Sequence, residues 1–298
     1  MQDERMSDDQ VREGSMQVAD GRTVAWTDWG DGGTPVLRIP GTPGSRWSIR
    51  ADRTIWRERG LRVITTERPG FGASTRLPGR KFAEHADDLA AILDHLGIER
   101  LHVYGGSGAS PHILAFCARH PDRVKAATIL VGGAPMNEDE IEQMIGLNVQ
   151  SYKLARAGDL DGLRKLMAPY HEAMSTDPLA SLRGVMAEAP EEDQRIMQDP
   201  DWQRGMERAT KEAMRQGPEG WMDEGLAISL PWDDIDLSAV RTSITWWHAP
   251  GDKNCPLSAA QRLVDQLPDA HLNVWEGGGH LTSYLREAEV LDELLARG

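Results

Sequence analysis

Leu101-His102-Val103-Tyr104-Gly105-Gly106-Ser107-Gly108-Ala109 is the stretch that decides the fold, because an apolar strand pattern runs into a glycine-rich turn and a helical pattern follows at once. Such a turn strains the backbone at Ser107 and tolerates only small residues two positions away, where Gly105 and Ala109 stand. The strain would hold the hydroxyl above a sheet, where backbone N–H groups can stabilise an oxyanion. The stretch predicts Ser107 as a nucleophile, and an ordinary glycine-rich turn is the alternative.

Short apolar runs rich in β-branched or aromatic residues recur on both sides of this turn, and helical patterns lie between several of them. A hairpin pattern at residues 15–29, turning at Asp20-Gly21, precedes them. Strands that alternate with helices imply a mostly parallel sheet covered on both faces, with the hairpin as an antiparallel edge. The predicted strands are residues 36–39, 62–66, 101–104, 125–131, 244–248 and 271–275, and the predicted helices are 82–96, 111–119, 258–267 and 281–295.

Residues 134–237 break this alternation with charged, helix-favouring segments that Pro and Gly interrupt. Structureless loops of this length are rare in compact domains, so the segment predicts a helical lid inserted in a core of residues 15–133 and 238–298, after a polar leader at 1–14. The acidic patches 137–142 and 188–193 are interpreted as solvated faces of lid helices. The lid's methionines either pack its own core or line an adaptable apolar pocket: Met136, Met144, Met167, Met174, Met186, Met197, Met206, Met214 and Met222.

A serine nucleophile needs a base, and the base needs an orienting carboxylate. Asp252 lies in a loop that closes one predicted strand, and His280 follows three glycines after the next strand. The carboxyl ends of parallel strands meet at one edge of a sheet, so Ser107, Asp252 and His280 are predicted to share a site. Rivals for these roles are His248 as the base and Asp269 or Glu276 as the acid.

The loop Ile39-Pro40-Gly41-Thr42-Pro43-Gly44-Ser45 follows the first predicted parallel strand. An oxyanion hole needs a second N–H beside that of the residue after the nucleophile. Pro43 has no N–H to donate, so the prediction is the backbone N–H of Thr42 paired with that of Gly108. A plain turn is the alternative reading of this loop.

These segments together resemble the α/β-hydrolase superfamily, in its capped branch with a serine nucleophile. The segment Glu67-Arg68-Pro69-Gly70-Phe71-Gly72-Ala73-Ser74 looks like the family's D-x-P-G-x-G-x-S, and the Asp252-x-x-x-Pro256 loop and the Gly-Gly-His before the last helix also match. Pro40 stands where the family's oxyanion loop usually has His, and Glu67 where it usually has Asp. The resemblance implies the α/β-hydrolase fold, with a mostly parallel eight-stranded sheet flanked by helices and an inserted lid.

The resemblance also implies a two-step acyl transfer without metal or organic cofactor, in which Ser107 attacks, His280 accepts its proton and Asp252 orients the imidazole. The leading expectation is hydrolysis of a carboxylic ester or lactone of a small apolar metabolite. Two alternatives stay open: a C–C bond hydrolase or aminopeptidase-like enzyme with the same triad, and a ligand-binding receptor on a hydrolase scaffold.

Composition narrows the partners of this chain. Its 298 residues carry 33 Lys and Arg against 47 Asp and Glu, a net charge of −14 that disfavours nucleic acids and anionic membranes as partners. Two cysteines are too few for a disulfide scaffold. The sequence shows neither a membrane-spanning run nor a signal peptide, so a cytoplasmic protein with a small-molecule substrate is expected, of unassigned oligomeric state.

Tryptophan is over-represented among the aromatic residues, with 10 Trp against 4 Tyr and 3 Phe. Trp47 lies just past residues 39–45, the predicted oxyanion loop, and Trp221 lies in the lid. They are candidates for an aromatic substrate pocket, and core packing is the alternative for each.

Overall fold

The computed structural model describes residues 11–297, in which eight strands form one sheet. The strands are β1 (Arg12–Gln17), β2 (Thr23–Trp29), β3 (Thr34–Ile39), β4 (Leu61–Thr66), β5 (Leu101–Gly106), β6 (Val124–Leu130), β7 (Ile244–His248) and β8 (Ala270–Val274). Their order across the sheet is β1-β2-β4-β3-β5-β6-β7-β8. β2 pairs antiparallel with β1 and β4, and the other neighbours are parallel. The predicted eight-stranded, mostly parallel sheet with an antiparallel hairpin edge is confirmed.

Helices cover both faces of the sheet. They are α1 (Thr54–Arg57), α2 (Phe82–His95), α3 (Ser110–Arg119), α4 (Glu138–Ile141), α5 (Gly146–Arg156), α6 (Leu160–Thr176), α7 (Pro178–Val185), α8 (Glu191–Ile196), α9 (Pro200–Ala213), α10 (Glu219–Ser229), α11 (Leu257–Val264) and α12 (Thr282–Leu295). Helices α2, α3 and α11 contribute to one apolar core, and α1 and α12 to another. These two cores lie on opposite faces of the sheet, as expected for a parallel sheet buried on both sides.

The local sequence explains why α2 forms where it does. Phe82, Leu89, Ile92 and Leu93 recur at helical spacing and are buried against the sheet. The first free N–H groups of the helix, at Phe82 and Ala83, donate to the Asp234 carboxylate at 2.7 and 2.9 Å. Asp234 lies in the stretch between β6 and β7, so this cap also joins that stretch to α2.

Seven helices, α4 to α10, stand between β6 and β7, and this stretch, which the structure describes in full, contains no strand. We call residues 134–237 the helical insertion. An apolar cluster built mainly from its own residues includes Leu163, Met167, Met174 and Met214, and Phe71 of the sheet domain joins it. Among residues 11–297, the helices fall short of the length and apolarity that crossing a bilayer requires.

Three local expectations need adjustment. β1 begins at Arg12, inside the predicted leader, because residues 12–17 pair with β2, while residues 1–10 of that leader lie outside the described residues. The four-residue helix α1 was not predicted, since it is too short to show a helical period. The interpretation of the acidic patches as solvated is wrong for Glu140 and Asp193, which are buried.

Candidate active site

Ser107 follows β5 directly and takes a φ of 60°, a backbone conformation that costs free energy in a residue other than glycine. α3 begins three residues later, at Ser110. A Cβ on Gly105 would lie 2.4 Å from the carbonyl oxygen of Ile39 and 2.8 Å from the Cβ of Ala109. The turn therefore accepts only small residues at these two positions, as the sequence predicts, and it presents the Ser107 side chain to the cavity above the sheet.

The loop after β3 lies directly beside this turn. A Cβ on Gly41 would be 3.3 Å from the Cβ of Ser107, and a Cβ on Gly108 would be 2.2 Å from the Thr42 hydroxyl oxygen. Thr42, Gly108 and Ser107 all line one cavity. The two residues predicted to donate backbone N–H groups to an oxyanion are thus brought together at the serine.

The buried Arg68 supports the same loop through three hydrogen bonds. The guanidinium of Arg68 donates to the carbonyl oxygens of Pro40 at 2.5 Å and Gly41 at 2.6 Å, and to the Thr42 hydroxyl at 3.1 Å. Three bonds from one planar group fix the course of the loop, because the fork of an arginine is rigid. Arg68 belongs to the Glu67-to-Ser74 motif of the sequence. Its hydrogen bonds to residues 40–42 depend on the fold, and the motif alone does not predict them.

Glu224 of α10 ties the helical insertion to this loop. It is fully buried, accepts a hydrogen bond from the Thr42 hydroxyl at 2.9 Å and from His112 Nε2 at 3.0 Å, and pairs with Arg68 and Arg80. Burial alone would raise the pKa of Glu224, but the two arginines outweigh it and hold that pKa well below its usual range. Burial also lowers the pKa of His112 to about 4, against the opposing pull of Glu224.

Asp252 and His280 meet at the carboxyl end of the sheet. His280 Nδ1 donates to Asp252 Oδ2 at 2.8 Å, and Asp252 Oδ1 accepts the N–H groups of Asn254 at 2.7 Å and Cys255 at 3.0 Å. Burial would lower the pKa of His280, but the adjacent carboxylate outweighs burial and raises it. The bond at Nδ1 leaves Nε2 as the nitrogen that can accept a proton.

His280 and Ser107 line the same cavity. Within the described chain no hydrogen bond joins the Ser107 hydroxyl to the imidazole. Such bonds are often long before substrate binds and shorten in the complex, so their absence here is compatible with a nucleophile–base pair.

The rival residues occupy other surroundings. His248 is fully buried, its Nε2 lies 2.8 Å from the Cys255 carbonyl oxygen, and its Nδ1 accepts from Trp246 at 3.3 Å. Both ring nitrogens of His248 are therefore occupied by hydrogen bonds to other residues. Asp269 and Glu276 are exposed, and neither bonds to His280 within residues 11–297.

Cys255 completes the cluster around His280. The ligand-type atoms of Asp252, Cys255 and His280 lie within 4.8 Å of one another, a set that could hold a metal by residue type. Burial and the Asp252 charge raise the pKa of the Cys255 thiol well above its usual value, with the Ser107 hydroxyl acting in the opposite direction. Hydrogen bonds already join these groups, since Asp252 accepts from His280 Nδ1 and from the backbone N–H of Cys255.

The cavity above Ser107 has a volume of about 380 Å³ and is enclosed jointly by the sheet edge and the helical insertion. Trp221 lines this cavity, as expected of a substrate-pocket residue. Trp47 is not among the residues described as lining it. Its ring instead stacks against Arg208, whose guanidinium carbon is 3.1 Å from the ring centre. Methionines that could adapt to an apolar ligand also line the cavity: Met144, Met167, Met174, Met186 and Met206.

A family model described as an alpha/beta hydrolase fold matches residues 34–286. A non-heme haloperoxidase of Rhodococcus erythropolis is 26% identical over 268 residues, which cover 88% of this chain and 91% of that protein. A 2-hydroxy-6-oxo-2,4-heptadienoate hydrolase of Pseudomonas putida is 28% identical over 276 residues, covering 90% of this chain and 89% of its own length. The solved enol-lactonase from Burkholderia xenovorans superposes with a TM-score of 0.68 at 14% identity, over 95% of this chain and 100% of that chain. This last likeness concerns the fold alone.

Proposed function

The chain belongs to the α/β-hydrolase fold family, and from this premise we propose that it is a serine hydrolase that cleaves a carboxylic ester or lactone of a small apolar metabolite. The observation that carries the proposal is the 2.8 Å bond from His280 Nδ1 to Asp252, in the cavity that also exposes Ser107. A base oriented by a carboxylate beside a strained serine is the arrangement that acyl transfer requires.

In the proposed reaction, the Ser107 oxygen forms a bond to the substrate carbonyl carbon while its proton passes to Nε2 of His280. The N–H groups of Thr42 and Gly108 stabilise the oxyanion of the tetrahedral intermediate. The intermediate collapses with loss of the alcohol, which takes the proton from His280. Water then attacks the acyl carbon while His280 takes its proton, the bond from the Ser107 oxygen to the acyl carbon breaks, and that oxygen receives the proton from His280 as the carboxylic acid leaves.

The cavity supports a substrate that is small and largely apolar. Its volume of about 380 Å³ and its methionine-rich wall suit a hydrophobic acyl group, and we propose that Trp221 contributes one side of the acyl site. The helical insertion, as the roof of this cavity, would act as the lid that excludes water during acyl transfer.

Steady-state hydrolysis of p-nitrophenyl esters and simple lactones tests the proposal. Replacement S107A is expected to lower kcat by about 10⁴- to 10⁶-fold, because it removes the nucleophile of a unit that acts together. The matched control is S175A, whose hydroxyl bonds to the His171 carbonyl within α6, away from the cavity. Turnover that persists in S107A would contradict serine hydrolysis.

A C–C bond hydrolase is the second candidate, since a relative named as a 2-hydroxy-6-oxo-2,4-heptadienoate hydrolase is 28% identical over 90% of this chain. Wild-type protein that consumes a 2-hydroxy-6-oxo-2,4-dienoate faster than any ester or lactone in the panel would favour it. Binding of such compounds without repeated release of product would instead indicate the receptor function.

A further inference from the structure

Asp193, on α8 of the helical insertion, packs against the loop that carries His280. Its Oδ1 accepts the backbone N–H of Leu281 at 3.1 Å, and the His280 N–H faces the same carboxylate. A Cβ on Gly279 would lie 2.5 Å from Asp193 Oδ2, so the glycine at this position is what permits the approach. Helix α8 thus reaches the peptide units on both sides of the histidine.

The Asp193 carboxylate is fully buried, and its Oδ2 has no hydrogen-bond partner among the described residues. Burying a carboxylate with one unpaired oxygen lowers the stability of the fold, because that oxygen loses its hydration without gaining a hydrogen bond. An apolar side chain of similar size would avoid this desolvation penalty. Burial raises the pKa of Asp193, while the charges of His280 and Asp252 act on it in opposite directions. A positive charge on the His280 ring would favour the ionised form of Asp193 and so offset part of its desolvation.

The groups that face His280 come from four elements. Asp252 and Cys255 belong to the loop after β7, His248 to β7 itself, Ser107 to the turn after β5, and Asp193 to α8. Asp252 and Asp193 are the carboxylates in this set, and the charge of each favours the protonated imidazole. Asp193 is the one that is carried by the helical insertion.

We infer that Asp193 is a positioning residue for His280, holding the histidine loop through the Leu281 N–H and placing a second negative charge beside the imidazole. The role of His280 as the base rests on the function proposed above. Because the carboxylate belongs to α8, the seating of that helix sets the basicity of the imidazole. A displaced α8 would leave His280 with Asp252 alone and weaken it as a proton acceptor.

The test is an NMR titration of the histidine ring signals in the intact protein, with the His280 signal assigned by its loss in H280Q. D193N keeps an acceptor for the Leu281 N–H and removes the charge, so the pKa of His280 should fall by about one unit. D193A should lower it similarly and serves if D193N does not fold. E191Q removes an exposed charge from the same helix and should leave the titration unchanged.

An unchanged His280 titration in the charge-neutral variants overturns the inference, as does an equal shift in E191Q. The titration needs no substrate, so it stands even if the protein hydrolyses nothing in the ester panel. Where turnover is measurable, the acidic limb of kcat/KM should move to lower pH in D193N and the plateau should drop. A residue that only anchors the helix would change thermal stability without moving that limb.

Discussion

Arg68 shows how one residue can take over the support of a loop. The histidine that the family resemblance leads one to expect before Gly41 is Pro40, which offers no side-chain hydrogen bond. Arg68, from the segment that follows β4, donates hydrogen bonds to the carbonyl oxygens of Pro40 and Gly41 in this loop. Such bonds orient the peptide units of the loop, and the N–H of Thr42 belongs to one of them.

Replacement R68K is therefore expected to lower kcat by roughly 10- to 100-fold with little change in KM, because a lysine ammonium lacks the rigid planar fork that places the arginine donors on these acceptors. The effect should not exceed the loss of one oxyanion donor. R76K is the matched control, since Arg76 lies in the neighbouring loop and pairs with Asp223 on the outside of the site. Equal kinetics for R68K and wild type would contradict a role of Arg68 in shaping the oxyanion loop.

The site candidates that the sequence alone predicts are those marked by a local pattern. Ser107 stands in a turn whose small neighbours are forced by sterics, and Asp252 and His280 each follow a strand. Asp193 and Glu224 could not be found in this way, because an acidic residue on a helix is usually solvated and only tertiary packing buries it. Arg68 lies within a recognised motif, yet its three acceptors are 26 to 28 positions away in the chain.

At the scale of elements, α10 is attached to the sheet domain through a buried charged contact, in addition to apolar contacts of Ala227 and Ile228. Glu224 lies between Arg68 and Arg80 and bonds to His112 of α3, with all four side chains at 0% exposure. A buried ion pair contributes little over apolar packing, but removing one partner leaves the others uncompensated. The strength of the attachment should therefore appear when a single charge is removed.

E224Q is expected to lower the free energy of unfolding by about 3–5 kcal/mol, since two buried arginines would lose their counter-charge. Urea unfolding with an unchanged m-value measures this loss. E219Q removes a charge from the start of the same helix, where Glu219 pairs with the exposed Arg164, and should cost less than about 1 kcal/mol. Similar losses in both variants would mean that the buried cluster does not hold α10.

Element bounds show a similar division between what the sequence could and could not specify. β7 was predicted at its observed limits and α2 to within one residue, because each has a full apolar period and a clear stop. The six-residue α8 has no such period, and its placement follows from contacts with the histidine loop. Short helices in the insertion are positioned by packing, which a single sequence does not encode locally.

At the scale of the whole molecule, the sheet and the helical insertion share buried charged contacts and one cavity. Glu224 joins α10 to the oxyanion loop, and Asp193 joins α8 to the histidine loop. Glu224 bonds to Thr42, a proposed oxyanion donor, and Asp193 bonds to the backbone next to His280, the proposed base. Seating of the insertion and geometry of the site are therefore expected to change together, and the buried histidines make this coupling depend on pH.

His112 provides the measurable case, because burial lowers its pKa from 6.5 to about 4. The folded state favours the neutral ring, so its contribution to stability is present above pH 6.5 and is lost as the pH falls toward 4. By linkage this amounts to about 3 kcal/mol over the window. Glu67, whose burial raises its pKa to about 7, acts in the opposite direction over part of that window, so differences between variants are more informative than one curve.

In H112Q no ring titrates at this position, but a glutamine does not fill the buried site as the imidazole does. The variant should therefore be less stable than wild type at pH 7. The gap in the free energy of unfolding should narrow as the pH falls to 4.5, because only wild type is penalised by protonation of His112. H271Q, at an exposed position, should follow the wild-type curve throughout. A gap of equal size at pH 7 and pH 4.5 would mean that His112 does not carry the proposed proton linkage. A narrowing gap would show that protonation of the buried His112 lowers the free energy of unfolding of the wild-type protein.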